Sequence, residues 1–164
     1  MTFALILAGV AQGQDTGIPE RIVLAMGTRL SIQCGGAERE AFSAASEAAI
    51  AECARIEAAC STWKPESAWS RLNAAEGKAL PLNQEWISLL AQALAWSHRT
   101  KGAFDPVLFR LLAAYGVREG GKTPSEIDLK KARKASGSEH LRLDRVRGAA
   151  RLLEGAGVEE GGFV

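Results

Sequence analysis

The chain has 164 residues, 47% of them hydrophobic, and a formal net charge of +1. That length fits one domain with a real core, and the composition excludes a largely disordered chain. Acids and bases are interspersed, which leaves no basic footprint for nucleic acid, and no internal repeat divides the sequence.

Residues 3–9, Phe-Ala-Leu-Ile-Leu-Ala-Gly, form an apolar run too short to span a bilayer. With the small residues Ala8, Gly9 and Ala11 near a cleavage point, they read as the remnant of a secretory signal peptide whose basic start is missing. The expected location is the bacterial periplasm or another exported compartment. Leu7-Ala8-Gly9 has the form of a lipobox, but Val10 stands where the lipidated Cys belongs, so no lipid anchor is expected. Residues 12–19 are a polar linker, and residues 20–164 are the domain.

Residues 22–34 alternate with period two, which predicts a half-buried strand with Ile22, Leu24, Met26, Leu30, Ile32 and Cys34 on one face. Gly27 interrupts it and permits a bulge or the close approach of a ligand. On periodicity alone Met26 is a core residue. After a Gly35-Gly36 turn, residues 37–60 predict a helix with Phe42, Ala45, Ala49, Cys53, Ile56 and Cys60 as its apolar stripe. Glu47, Glu52, Arg55 and Glu57 fall on a solvated face. Cys34, Cys53 and Cys60 have no metal-type spacing and read as core residues, with a disulfide to Cys34 left open.

A polar loop with two tryptophans follows, and Ser67 to Asn73 predicts one short helical turn. By position, Trp63 in such a loop is a cap on the core more often than a stacking platform. Leu80 and Leu82 mark an extended piece, and Asn83 caps a helix over 84–101 with Trp86, Leu89, Leu90, Ala93, Trp96 and Ser97 inward. His98, near its C-terminus, is structural.

Lys101-Gly102-Ala103-Phe104-Asp105-Pro106 then closes one helix and opens the next. Gly102 ends the first; Asp105 is expected at the N-cap and Pro106 at the first position of a helix over Val107–Tyr115, stopped by Gly116. Capping explains every residue of the motif. The functional alternative is a polar pocket made by a carboxylate and free amides. Thr123-Pro124-Ser125-Glu126 predicts a capping box for a helix to about Ala135. His140–Leu143 and Ala149–Leu153 predict paired strands, with His140 on an edge, and the glycines of 154–164 predict a flexible turn.

No P-loop, dinucleotide fingerprint, metal-type Cys/His spacing or nucleophile elbow occurs. Several stretches, in order, resemble the ApbE-like family of FAD:protein FMN transferases (thiamine biosynthesis lipoproteins). They are Met26-Gly27-Thr28, Arg55-Ile56-Glu57, Ser61-Thr62-Trp63 with Ser67 and Ser70-Arg71-Leu72-Asn73, and Lys101–Pro106 with Tyr115-Gly116. Glu160-Gly161-Gly162-Phe163-Val164 resembles the segment just before the family's Lys-Gly.

The resemblance implies an α+β fold, antiparallel strands with packed helices, related to the T-fold. It implies transfer of FMN from FAD to a Ser or Thr hydroxyl of a target flavoprotein subunit, with Mg²⁺ and release of AMP. By position Met26, Trp63, Ala103, Phe104 and Asp105 would meet FAD, Asp105 at a neutral part of it, and Gly162 would offer a backbone carbonyl to the metal. Val107 and Phe109 depart from the Thr and the small residue usual after Asp-Pro. The family runs about twice this length, so the chain is expected to be its N-terminal portion, with the catalytic residues beyond Val164. Two alternatives stand beside transfer: an FAD pyrophosphatase giving FMN and AMP, and a non-catalytic flavin-binding domain.

Overall fold

The stretch read as one strand is a hairpin. In the computed structural model, which describes residues 17–160, β1 (Glu20–Ala25) and β2 (Thr28–Gln33) pair antiparallel, with Val23 opposite Leu30 and Ala25 opposite Thr28. Met26 and Gly27 have φ of 51° and 73°, the two positive values that a type I′ turn requires. A two-residue turn flips the parity of the inward face. Val23 and Ala25 therefore share a face with Leu30 and Ile32, while Ile22 and Leu24 point the other way, and Leu24 is exposed. Met26 is 51% exposed, so it is a turn residue and not a core one. Cys34 is exposed as well, Cys53 is half-buried and Cys60 buried, and none of the three is in a disulfide. Cys34 is thus neither core nor disulfide-bonded.

The chain divides into two compact units, Met1–Ala58 and Ala59–Val164. The first holds the hairpin and most of α1 (Arg39–Cys60). The buried positions of α1 include Phe42 and Ser46, and Ala45 and Ala49 are exposed. The stripe runs Phe42, Ser46, Ile50, Cys53, one helical position away from the expected line. Apolarity alone had selected Ala over Ser. Glu57, expected on the solvated face, is half-buried and accepts the Met26 N–H at 3.4 Å.

The second unit is built on a three-stranded antiparallel sheet ordered β3 (Leu80–Pro81), β5 (Ala149–Leu152), β4 (Leu141–Asp144). Ala150 stands opposite both Leu80 and Leu143. Around it lie α2 (Ala68–Asn73), α3 (Gln84–Arg99), α4 (Phe109–Ala114) and α5 (Glu126–Lys134). Trp69, Leu72, Ile87, Leu90, Val107 and Val158 are solvent-free, each contributing about 1.5–3 kcal/mol of burial. Trp69 meets Trp86 edge-on at 6.2 Å between ring centroids. Trp96, expected inward, is exposed beneath the guanidinium of Arg99.

Side chains cap two helices, at Asn83 as expected and at Ser67, where only a short helical turn was expected. Ser67 accepts the Ser70 N–H at 3.0 Å and Asn83 the Trp86 N–H at 3.0 Å. Three other ends differ. α3 stops at Arg99, and Lys101 takes the left-handed turn position at φ 54°; the Gly102 N–H then bonds back to the Ser97 carbonyl at 2.9 Å. α5 is capped by Ser125, which accepts the Asp128 N–H, and not by Thr123. α4 begins at Phe109, two residues later than expected. Its first turn is diverted: the Val107 carbonyl takes the Gly137 N–H and the Phe109 N–H goes to the Gly157 carbonyl. Among the described residues no helix is long and apolar enough to cross a membrane.

Candidate functional site

Residues 154–160, the described part of the stretch 154–164 expected to be a flexible turn, are the spine of the candidate site. Ala156, Val158 and Glu159 are buried. Asn73, at the end of α2, clamps Val158 from both sides: its amide donates to the Val158 carbonyl at 2.9 Å and its carbonyl accepts the Val158 N–H at 2.8 Å. The Glu159 N–H donates to the Pro106 carbonyl at 3.0 Å. Gly157 packs so tightly on Phe109 that a Cβ there would lie 2.8 Å from the Phe109 Cβ. These bonds and this contact tie the segment to α2, Pro106 and Phe109 and restrict its freedom.

On this spine sits a polar cluster. The Thr62 hydroxyl meets Glu159 Oε1 at 2.9 Å and also contacts Glu160 Oε2. The Thr62 N–H donates to Glu160 Oε2 at 2.8 Å. Arg118 donates to the Thr62 carbonyl at 2.9 Å and to Glu159 Oε2 at 3.1 Å, and it also contacts the Thr62 hydroxyl. Thr62 and Glu159 are 8% and 6% exposed. Burial is the main reason the Glu159 carboxyl sits above the usual range; Thr62 and Arg118 oppose it, and the neighbouring Glu160 adds to it. Burial also pushes Glu160 up, but hydrogen bonds from the Thr62 hydroxyl and N–H outweigh it and leave that carboxyl lowered. The hydroxyl has a single proton to give, so it cannot donate to both carboxylates at once.

The aromatic edge of the cluster is Trp63. The Arg118 guanidinium lies 4.5 Å from the Trp63 ring centroid and 5.3 Å from that of Phe109. One guanidinium covers one face of an indole. The side chain nevertheless stays 63% exposed, so the opposite face is open. Trp63 is therefore not a cap on the core.

Asp105 is a hub rather than an N-cap. Its Oδ1 accepts the Val107 N–H at 2.8 Å, and its Oδ2 accepts the Ser138 N–H at 2.8 Å and the Ser97 hydroxyl at 3.4 Å. Phe104 is half-buried, its N–H on the Thr100 hydroxyl at 3.1 Å, and Ala103 is exposed.

The expected site residues thus fall in three places. Met26 belongs to the first unit, at the tip of its hairpin. Trp63, Ala103, Phe104 and Asp105 belong to the second. There Glu159 joins their two segments, bonding Thr62 through its side chain and Pro106 through its backbone. Gly162 lies outside the described residues. Two open clefts of about 440 and 320 Å³ are lined by none of these residues. Sequence reasoning missed Glu159 and Arg118. The available signal was a Glu-Glu pair in an otherwise small and apolar stretch.

Two α-helix-flanked antiparallel sheets with this clamp define the architecture, and the comparisons give it a family. The chain belongs to the ApbE family, whose profile matches residues 26–163. The fold is that of the ApbE protein from Thermotoga maritima (TM-score 0.80, 24% identity, 88% of this chain and 47% of that one). It is also that of the Pseudomonas stutzeri flavinyl transferase ApbE in its apo form (0.73, 22%, 87% and 48%). The flavin transferase ApbE of Vibrio cholerae is similar too (0.65, 19%, 87% and 47%). The chain spans about half the length of these proteins. No curated protein matches it.

Proposed function

We propose that the protein to which these residues belong is a flavin transferase that moves FMN from FAD to a Ser or Thr hydroxyl of a target flavoprotein. Membership of the ApbE family supports this, as do similar folds in proteins described as flavin transferases. The observation that carries it is Trp63: an exposed indole with one face covered and one open, beside a buried polar cluster. A flat isoalloxazine needs such a face, with polar groups at its rim. Phe104 and Asp105 lie on the segment that Glu159 ties to Thr62, and Met26 is proposed as a further flavin contact.

In the reaction the acceptor oxygen forms a bond to the phosphorus on the FMN side. The pyrophosphate P–O bond breaks, AMP leaves, and the hydroxyl proton is lost. Mg²⁺ would neutralise the pyrophosphate. Among the described residues no cluster of three or more His, Cys, Asp or Glu is placed to hold a metal, and Gly162 lies outside them. The described residues do not build a metal shell. Export to the periplasm belongs to the same proposal, on the strength of residues 3–11.

The test is incubation with FAD and Mg²⁺, with and without a Thr-containing acceptor domain. Transfer predicts AMP release that depends on acceptor, and an acceptor that keeps flavin fluorescence after denaturation. Free FMN without acceptor would mean a pyrophosphatase instead. Flavin binding with no AMP would mean a binding domain.

A further inference from the structure

Arg118 ties the polar cluster to its aromatic edge. It holds the Thr62 carbonyl, pairs with buried Glu159, and lies over both the Trp63 and Phe109 rings. We propose that Arg118 is the positioning residue of the Trp63 platform: it backs one face of the indole and thereby presents the other to a planar ligand. The ligand's identity as a flavin rests on the proposed function; the positioning does not.

Trp63 stands in a short connection between α1 and α2. An exposed indole there has rotamers to lose when a ligand stacks on it, and that loss weakens binding. A guanidinium is planar and stacks face to face, so it restricts the ring before the ligand arrives. Arg118 can do this because it is itself fixed. Its two terminal nitrogens are engaged separately, Nη1 by the Thr62 carbonyl and Nη2 by the Glu159 carboxylate. The residue preceding Trp63 supplies that carbonyl. The ring and its backing group therefore share one anchor and move as a unit. Arg118 comes from the turn after α4, 56 residues from Thr62, so the platform forms only when the second unit is folded.

A lysine at position 118 separates the two jobs. It can keep the charge pair with Glu159, but it offers no planar face to the indole. The experiment compares the wild-type chain with Arg118→Lys and Arg118→Ala, each in a Trp96→Phe background. That background leaves Trp63 as the exposed tryptophan, since Trp69 and Trp86 are buried. The readouts are the unfolding midpoint, the fast local component of Trp63 anisotropy without ligand, and the dissociation constant for FAD.

Arg118→Lys should unfold near the wild-type midpoint, yet show a larger fast component and bind FAD several-fold more weakly. Arg118→Ala should weaken binding by about tenfold. Unchanged Trp63 anisotropy in Arg118→Lys would overturn the proposal. So would FAD affinity that is unchanged, or that rises because the guanidinium competes for the ligand's face. If the wild-type chain binds no flavin, the flavin reading falls, and the anisotropy alone decides whether Arg118 fixes the ring. If Arg118→Ala does not fold, the lysine variant carries the test.

Discussion

Thr62 and Glu159 are 97 residues apart in sequence and 2.9 Å apart in the fold, hydroxyl to carboxylate. This bond joins the tryptophan loop to the buried segment that also holds Pro106. Thr62→Val keeps the shape and removes the hydroxyl, so the one proton it offers the two carboxyls is lost. The expected cost is about 1–3 kcal/mol in urea unfolding, with Thr62→Ser recovering most of it. A Thr62→Val chain as stable as wild type would show the cluster to be energetically idle.

The two carboxyls should act oppositely on stability. Glu159 is raised by burial, so the folded state holds its proton more tightly than the unfolded chain does. Its contribution is complete below the ordinary value of 4.5 and is lost as pH rises through the folded value. Glu160 is lowered on balance, the Thr62 bonds outweighing burial. Its contribution is present above 4.5 and is lost as pH falls through its folded value. Thermal melts from about pH 3 to about pH 8 should show Glu159→Gln gaining on wild type as pH rises, and Glu160→Gln losing ground over the same range. Parallel curves for both variants would contradict these assignments.

Asp105 holds two backbone N–H groups and the Ser97 hydroxyl. Asp105→Ala leaves the two N–H groups without their acceptor, while the Ser97 hydroxyl keeps Ser138 Oγ at 2.9 Å, and should cost about 2–4 kcal/mol. Asp105→Asn should cost less, because one oxygen remains. A flavin contact at Asp105 would then appear as an affinity loss in the Asn variant beyond its loss of stability.

Gly157 is required by contact, not by backbone conformation. A Cβ there would lie 2.8 Å from Phe109 Cβ, which is fixed to the backbone and cannot swing away, and 2.9 Å from the ring Cδ1. Gly157→Ala should cost about 1–3 kcal/mol. Because Phe109 also faces Arg118, the substitution should change Trp63 emission as well. A silent substitution would mean that the segment shifts freely.

Much of the second unit was legible in the sequence, because its signals are local. Asn83 caps where its side chain predicts, Ser67 to Asn73 forms its short turn, and the β4–β5 pair follows its apolar runs. The hairpin was missed because period-two counting does not see a turn that flips parity; a Met-Gly turn carries a weaker mark than Asn-Gly. The Asp105-Pro106 cap was misplaced because its geometry depends on Gly137 and Gly157, far along the chain. The cluster itself was illegible for the same reason. Arg118 and Glu159 look like ordinary solvated charges until the fold brings them within 3.1 Å. Trp63 was singled out through family resemblance, since its place in a polar loop favoured a core cap.

The most direct measurement is FAD titration of the chain, of Trp63→Ala and of Trp63→Phe, followed through flavin absorbance. Saturable binding in the wild type that is lost in Trp63→Ala and largely kept in Trp63→Phe would establish the open face of Trp63 as a flavin platform. Equal binding by wild type and Trp63→Ala would contradict it and place the flavin elsewhere in the protein.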